Sequence, residues 1–305
     1  MLLEDLSRHI QAQRQFDWSD LAIEDLCLDS LFLSVRLRDG SCGAAMNYDL
    51  EGLPDITPAQ IDHTRQRLLE KLPEDPLLWN YLHTQDSDSL AHQALWVAIL
   101  SALSAPILQN SGSLQELGLQ SRQGRIPLQH FQDQGVRKVT IIGFGGYLEE
   151  ALTQDWLEKV CCCDFLALDE NFQRYNPYPF RIKEEAVQRG LEVVYDDGQN
   201  ASALIDEADL ICLSASTLCN GSLEALLPPD PRIVILEGPS GGVLPGPLFE
   251  LGVTHLVHNP IDLDFVQMCH RFSRQNRQGM QKISSGRFID ILLPEQRTVS
   301  RLNTP

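Results

Sequence analysis

A turn rich in glycine is the first feature of the sequence that could hold a ligand. It follows the apolar run Val139–Ile142 and precedes a predicted helix, and its glycines are Gly143, Gly145 and Gly146. Glycine lets backbone approach a ligand closely, and the first turn of a helix offers unpaired amides to an anion. The dinucleotide-binding fingerprint needs a third glycine where Leu148 stands. Ligand contact and a purely structural turn therefore both remain open.

Acidic residues end two of the predicted strands. Asp169 stands 26 residues after Gly143, loosely the spacing at which an acidic residue binds ribose hydroxyls. Glu237 opens a second loop whose residues Gly238 and Ser240 could contribute amides to an anion nest. A carboxylate beside such a nest could be a metal ligand, a general base or a hydroxyl acceptor. The alternative is a solvated carboxylate in a tight turn.

A third candidate loop, residues 214–222, follows the fourth predicted strand. It is dense in small hydrogen-bonding side chains, and we predict ligand contacts from Ser216, Thr217 and Asn220. Helix capping by Asn220 or Ser222 is the alternative role. If a transition-metal ion binds, Cys219 is the predicted ligand, because this thiol lies in a loop at the carboxyl edge of the predicted sheet.

Other cysteines and histidines give weaker metal patterns. Consecutive side chains on a strand point to opposite faces, so Cys161–Cys163 cannot all bind one ion. The same argument separates His255 from His258. The sequence contains no C-x-x-C or H-E-x-x-H pattern, so a structural zinc site has no support.

Strands and helices alternate from Val136 onward, which predicts a doubly wound, mostly parallel, Rossmann-like α/β sheet. The carboxyl ends of such strands lie at one edge, so the three candidate loops should lie close together. The six predicted strands are Val139–Ile142, Phe165–Leu168, Leu191–Tyr195, Asp209–Ser214, Arg232–Leu236 and His255–His258.

The chain before this sheet has a different pattern. Residues 2–12 predict an amphipathic helix, and the strands around Asp39-Gly40 predict a hairpin. Helices are predicted from Thr57-Pro58 to about Leu72 and over 88–105. We therefore predict a smaller α+β domain at 1–110, a linker at 111–135 and a Rossmann-like domain at 136–305.

Composition limits the classes of function. The formal net charge of −18 over 305 residues disfavours binding to nucleic acid or to an anionic membrane. The first residues lack a basic region followed by an apolar core, so we expect no signal peptide and a cytoplasmic protein with reduced cysteines. Whether the chain forms a homo-oligomer stays open.

Three segments carry a family resemblance: IIGFGG, ADLICLSASTLCNGSLEALL and VILEGPSGGVLPGPLFELGV, within residues 137–265. They resemble the family described as "putative heavy-metal chelation", with Thr217–Ser222 and Gly238-Pro239-Ser240 as its most specific parts. The stretches LFLSVRLRDGSCGAAMN and ALWVAILSAL resemble its companion domain, which has an enolase-N-terminal-like fold. In the second stretch, Trp96 and Ser101 stand where that family would place Gly and Asn.

This resemblance implies a site between the two domains that binds heavy metal or a metal-linked small molecule. The residues themselves favour an anionic or hydroxyl-rich ligand, with catalysis left open. Two alternatives remain: an enzyme that uses S-adenosylmethionine or a dinucleotide at the glycine turn, and a non-catalytic accessory protein that senses a small molecule.

Overall fold

The computed structural model describes residues 2–13, 22–28, 32–47, 90–143, 145–164, 177–272 and 289–293, with the single residues 59, 63, 66, 168, 170 and 173. The helix predicted over 57–72 is represented only by residues 59, 63 and 66, which are helical. The rest of that prediction lies outside the described residues.

A large sheet of eight strands organises the second part of the chain. Its strands are β4 (Gln120–Gln123), β5 (Lys138–Ile142), β6 (Lys159–Cys163), β7 (Glu192–Asp196), β8 (Leu210–Ser214), β9 (Ile233–Glu237), β10 (His255–His258) and β11 (Ile289–Leu292). Their order in the sheet is β4-β11-β10-β9-β8-β5-β6-β7, and the six strands from β10 to β7 are parallel. The predicted fold class is thereby confirmed.

One predicted strand is wrong. We expected the second strand at Phe165–Leu168, but the strand beside β5 is β6, Lys159–Cys163. Of the expected segment only Leu168 is described, and it lies in a turn. Three successive cysteines and Val160 form a buried strand because thiols are small and apolar enough to pack on both faces.

Helices cover both faces of this sheet. Helices α4 (Gly146–Leu152) and α5 (Tyr178–Gln188), with the 3-10 turn Leu128–Gln134, contribute to the core on one face. On the other face lie α6 (Ala201–Asp206) and α8 (Gly246–Leu251). The short helix α7 (Leu223–Leu226) follows the 3-10 turn Ala215–Leu218.

The N-terminal unit has an antiparallel sheet of β1 (Ile23–Leu28), β2 (Phe32–Leu37) and β3 (Cys42–Met46). Helices α1 (Leu2–Gln13) and α2 (Leu90–Leu108) accompany it. Helix α2 is apolar on all sides and, among the described helices, is the one long and apolar enough to cross a membrane. It is mostly buried inside the protein, as a core helix is.

The two parts of the chain are packed together. Buried residues of α1, α2 and β2 belong to the same apolar cluster as Leu213, Leu236 and Leu256 of the large sheet. Helix α9 (Leu263–Phe272) follows β10, and its Phe265 packs edge-on against Phe32 of β2, with ring centroids 5.8 Å apart. The N-terminal sheet is thus covered by α2 on one face and by α9 on the other.

Residues 111–135, predicted as a linker, contain regular structure. They form α3 (Ser111–Glu116), β4 and the 3-10 turn that begins at Leu128. Strand β4 pairs with β11 at the edge of the large sheet. The division at 1–110 and 136–305 stays a prediction, as does the enolase-like character of the first unit.

Candidate functional site

The candidate loops meet where the strand order reverses. Strands β5 and β8 are neighbours, and a Cβ atom added to Gly143 would lie 2.7 Å from Ser214 Cβ. Gly143 has φ +94, a conformation that glycine adopts easily. Ser214 is level with Glu237 of β9, and its Oγ lies 2.8 Å from Ser216 Oγ. Three predicted residues, Gly143, Ser216 and Glu237, are therefore brought to one place.

A buried ion pair lies directly under the glycine turn. Arg125 Nε lies 2.9 Å from Glu237 Oε1, and Arg125 Nη2 donates to Oε2 at 3.2 Å. The two side chains are only 22% and 11% exposed, so this two-point contact is largely shielded from water. The Arg125 guanidinium also lies over the Tyr147 ring, 3.9 Å from its centroid.

This arginine explains two of the glycines. A Cβ atom on Gly146 would lie 2.7 Å from Arg125 Nη1, so any larger residue would collide with the guanidinium. A Cβ atom on Gly145 would lie 3.8 Å from Glu237 Oε2, an ordinary contact. Gly145 and Gly146 are both exposed. Gly146 therefore has a structural role, because it leaves room for Arg125. The exposed Gly145 is the part of the turn that lies next to the Glu237 carboxylate.

The local environment makes Glu237 titrate near neutrality. Burial raises the pKa of this carboxyl to about 7, and Arg125 opposes that shift by favouring the ionised form. A carboxyl group with such a pKa can accept or release a proton near pH 7. It lies at the carboxyl end of β9, level with Ser214 beside the reversal point.

A second buried carboxylate lies level with Glu237 on the same face of the sheet. Val257 of β10 pairs with Glu237, and Asp290 of β11 pairs with Val257. Asp290 is fully buried, and neither of its oxygens accepts a hydrogen bond from any residue that the structure describes. Burial raises the pKa of Asp290 to about 6, although Arg122 opposes the shift.

This shift predicts a pH-dependent stability. The folded-state pKa of Asp290 lies above its ordinary value of 3.8. Burying this carboxyl group therefore costs no stability below about pH 4, where it is protonated, and lowers the free energy of unfolding as pH rises to about 6. Asp290→Asn should therefore raise the free energy of unfolding by about 1–3 kcal/mol at pH 7 and leave it unchanged at pH 4. Urea unfolding at both pH values measures this, and an equal gain at both would contradict it.

The loop 214–222 uses much of its polarity internally. Thr217 is buried, and its Oγ1 donates to the Ser214 carbonyl at 2.7 Å. Asn220 Oδ1 accepts from Ser222 N at 3.1 Å and Ser222 Oγ at 2.7 Å. These contacts hold the loop in shape, but Ser222, the N-cap residue of α7, makes no side-chain capping hydrogen bond. Ser216 remains the half-buried hydroxyl beside the reversal point.

The loop after β9 joins the two parts of the chain. Ser240 Oγ accepts a hydrogen bond from the Met46 amide of β3 at 2.9 Å. A Cβ atom on Gly242 would lie 2.6 Å from Ser101 Oγ of α2, so this glycine lets the loop approach the helix closely. The Leu244 amide donates to Ser104 Oγ at 3.0 Å. Gly238, with φ +131, precedes the 3-10 turn Pro239–Gly241, which contains Ser240.

Cys219 is completely buried in the apolar cluster shared by both parts of the chain. Within the described ranges, no group of three or more His, Cys, Asp or Glu side chains is placed to hold a metal ion. Cys162 and Cys163 face opposite cores, and burial raises the pKa of the Cys163 thiol to about 12. The described residues therefore do not fit a metal held by protein side chains alone.

Two predicted or detected features lie elsewhere. Asp169 is outside the described residues, so its predicted contact with the glycine turn stays a prediction. A cavity of about 510 Å³ is lined by residues between Glu170 and Glu184. A second cavity, of about 420 Å³, lies at the amino ends of β5 and β9. Neither is lined by residues of the glycine turn, of the loop 214–222 or of the loop after β9.

The comparisons with known proteins support the resemblance noted from the sequence. Residues 169–262 match the family DUF364, described as "Putative heavy-metal chelation". The resemblance is thereby confirmed over a region that includes the loops after β8 and β9. No curated protein matches this sequence.

Two solved structures of DUF364 proteins with unknown function share this fold. One, from Pyrococcus horikoshii, is 19% identical with a TM-score of 0.62, and the match covers 95% of this chain and 99% of that chain. The other, from Desulfitobacterium hafniense DCB-2, is 14% identical with a TM-score of 0.55, and the match covers 96% of this chain and 98% of that chain. At this identity the likeness to these DUF364 structures concerns the fold.

Sequence reasoning missed Arg125, which is the main charged neighbour of Glu237. It stands in a polar stretch that we predicted as a linker, 112 residues before its partner. No local pattern distinguishes it from a solvated arginine.

Proposed function

We propose that the protein binds a small polar molecule, metal-free or metal-linked, at the carboxyl edge of the large sheet beside the N-terminal unit. The observation that carries this proposal is the convergence of Gly143, Ser216 and Glu237 from three different loops. An open parallel sheet binds ligands at the point where its strand order reverses. Here that point combines exposed backbone, a hydroxyl and a carboxyl group.

The charges around this edge favour a hydroxyl-rich ligand or a single carboxylate. The loops 214–222 and 237–242 contain no lysine or arginine. Arg125 reaches the edge, but its charge is balanced by Glu237 at 2.9 Å. A free triphosphate would need more positive charge than this, whereas hydroxyls can donate to Glu237 and exchange hydrogen bonds with Ser216.

The metal-linked form of the ligand is supported by the description of the matching family. Since the described residues do not surround an ion by themselves, a metal would arrive with ligands of its own. A small-molecule chelate fits that requirement and also carries the hydroxyl or carboxylate groups that the edge favours.

An enzyme with a nucleotide-type cofactor is the second candidate. The parallel strands follow the order β7-β6-β5-β8-β9-β10. This is the order of dinucleotide-binding sheets, with a glycine turn after the first strand. Against it, Arg125 already fills the space next to Gly146.

Native mass spectrometry of the purified protein, combined with elemental analysis, separates these functions. A bound mass between that of a sugar and that of a small chelate supports the proposal, with metal present or absent in the elemental analysis. A nucleotide mass would favour the second candidate. A protein that carries neither and binds no hydroxy acid or chelate in calorimetry would contradict both.

Ser216→Ala should weaken binding of the co-purifying molecule about tenfold, because one hydroxyl hydrogen bond contributes about 1–1.5 kcal/mol. Isothermal titration calorimetry measures the change. Thr153→Ala is the matched control: this hydroxyl, at the far end of α4 from the glycine turn, donates to the Glu150 carbonyl at 2.7 Å. Equal affinities of both variants and the wild type would place the ligand elsewhere.

A further inference from the structure

The observed position of β6 puts a different acidic residue at its carboxyl end from the one that the sequence pattern predicted. Asp164 directly follows this strand, whereas Asp169 lies five residues further along the chain. Asp164 stands 21 residues after Gly143. In dinucleotide-binding sheets, an acidic residue about 20 residues beyond the glycine turn binds ribose hydroxyls. Asp164 therefore has the spacing that Asp169 matched only loosely.

Asp164 lies level with the glycine turn. Ile142 of β5 pairs with Cys163 of β6, so the residues that follow this pair, Gly143 and Asp164, are also neighbours. The Gly143 amide donates to the Cys163 carbonyl at 3.0 Å. On the other side of β6, the Asp164 amide donates to the Asp196 carbonyl at 2.9 Å. These backbone hydrogen bonds fix Asp164 beside the turn.

A row of residues across four neighbouring strands connects Asp164 with the edge site. Its members, in order, are Asp164, Gly143, Ser214 and Glu237. Cys162 and Ile235 face the same core, and each lies two residues before one of the two acids. Alternation therefore puts both carboxylates on that face of the sheet. Three strand spacings separate the two acids, a distance of about 14 Å.

A cavity of ligand size belongs to the same connection between β6 and α5 as Asp164. Its volume of about 510 Å³ is within the range of small-molecule sites, and Gln173, Phe180 and Glu184 are part of its lining. Gln173 precedes α5, and the other two residues belong to it. A nucleobase can stack on an aromatic ring and form hydrogen bonds with amide and carboxylate groups. The cavity therefore offers suitable surroundings for the base of a nucleoside.

We propose that Asp164 binds the ribose hydroxyls of a nucleoside that lies along the carboxyl edge of the sheet. A carboxylate has two acceptor oxygens, so it can accept hydrogen bonds from both hydroxyls of a vicinal diol. The charge of Arg125 is already balanced by Glu237 at 2.9 Å, which favours a nucleoside without phosphates. This assignment rests on the proposed function, whose hydroxyl-rich ligand it specifies, and it gives to Asp164 the role predicted for Asp169.

Isothermal titration calorimetry of the full chain tests this assignment. The probes are adenosine, guanosine, cytidine and uridine, each with its 2′-deoxy counterpart. At least one ribonucleoside should bind, and its 2′-deoxy form should bind at least about tenfold more weakly, because a hydrogen bond to a charged acceptor is lost. Asp164→Asn should also weaken binding of the ribonucleoside at least about tenfold. It should affect the 2′-deoxy form less, because both changes remove the same hydrogen bond.

Asp196→Asn is the matched control. Like Asp164, Asp196 is a half-buried acid at the end of a strand, and β7 is the neighbour of β6. Its carboxylate accepts hydrogen bonds within its own turn, from the Gly198 amide at 2.8 Å and from Asn200 Nδ2 at 2.7 Å. This variant should bind every probe as the wild type does.

Three results would each overturn the assignment: no binding of any of the four ribonucleosides at millimolar concentration, equal binding of the 2′-deoxy forms, or an equal loss of affinity in Asp164→Asn and Asp196→Asn. The comparison of ribonucleosides with 2′-deoxy forms needs only the wild type, so it decides even if Asp164→Asn does not fold. Failure here is distinguishable from failure of the proposed function. A co-purified polar molecule without a ribose unit would leave the edge site standing while this assignment falls.

Discussion

Replacing Arg125 with methionine is expected to lower the free energy of unfolding by about 3–5 kcal/mol at pH 8, since it removes both the counter-ion of the buried Glu237 and the contact of the guanidinium with the Tyr147 ring. The loss should be smaller at pH 5. Burial and Arg125 together set the pKa of Glu237 at about 7, so at pH 5 the carboxyl is already neutral in both proteins. Without Arg125 that pKa rises further, so the additional cost appears only above about pH 7 and grows by at most about 1.4 kcal/mol per pH unit.

Denaturant unfolding of both proteins at pH 5 and pH 8 measures this effect. Arg181→Met is a matched control, because Arg181 also lies over a tyrosine ring, that of Tyr178 at 5.4 Å, and near a glutamate, Glu185 at 3.9 Å. That cluster is solvent-exposed, so its loss should cost no more than about 1 kcal/mol. Equal losses for the two variants would show that burial does not strengthen the Arg125–Glu237 pair.

Gly43→Ala is expected to destabilise the protein by more than about 4 kcal/mol or to prevent folding, a size reserved for severe core disruptions. A Cβ atom on Gly43 would lie 2.1 Å from the Ala98 carbonyl oxygen and 2.3 Å from the Ala102 amide nitrogen. Both are backbone atoms of α2, so β3 and α2 would have to separate. The core shared by the two parts of the chain would open with them.

Thermal and urea unfolding measure this loss, and soluble yield records it if the variant does not fold. Gly145→Ala is the control, because Gly145 has φ −106 and its nearest neighbour is Glu237 Oε2 at 3.8 Å. It should change stability by less than about 1 kcal/mol. A Gly43→Ala protein that unfolds within a few degrees of the wild type would show that α2 can move away without cost.

Local sequence signals predicted most of the parallel sheet. Strand β10 was predicted at its observed bounds, His255–His258, because periodicity and Gly or Pro boundaries act over a few residues. The second strand was predicted at Phe165–Leu168, an apolar segment with an aromatic residue. Pairing with both β5 and β7 decided otherwise, since it buries the three cysteines on two faces.

The sequence by itself determined the class of the sheet and the loops at its carboxyl edge, because both follow from short-range patterns and from the rule that parallel strands end together. Only the tertiary structure decided which side chains meet there. Arg125 pairs with Glu237, which lies 112 residues later in the chain, and Ser240 accepts a hydrogen bond from the Met46 amide, which lies 194 residues earlier. Such contacts depend on how helices and loops pack, and no pattern within a segment encodes a partner so distant in the chain.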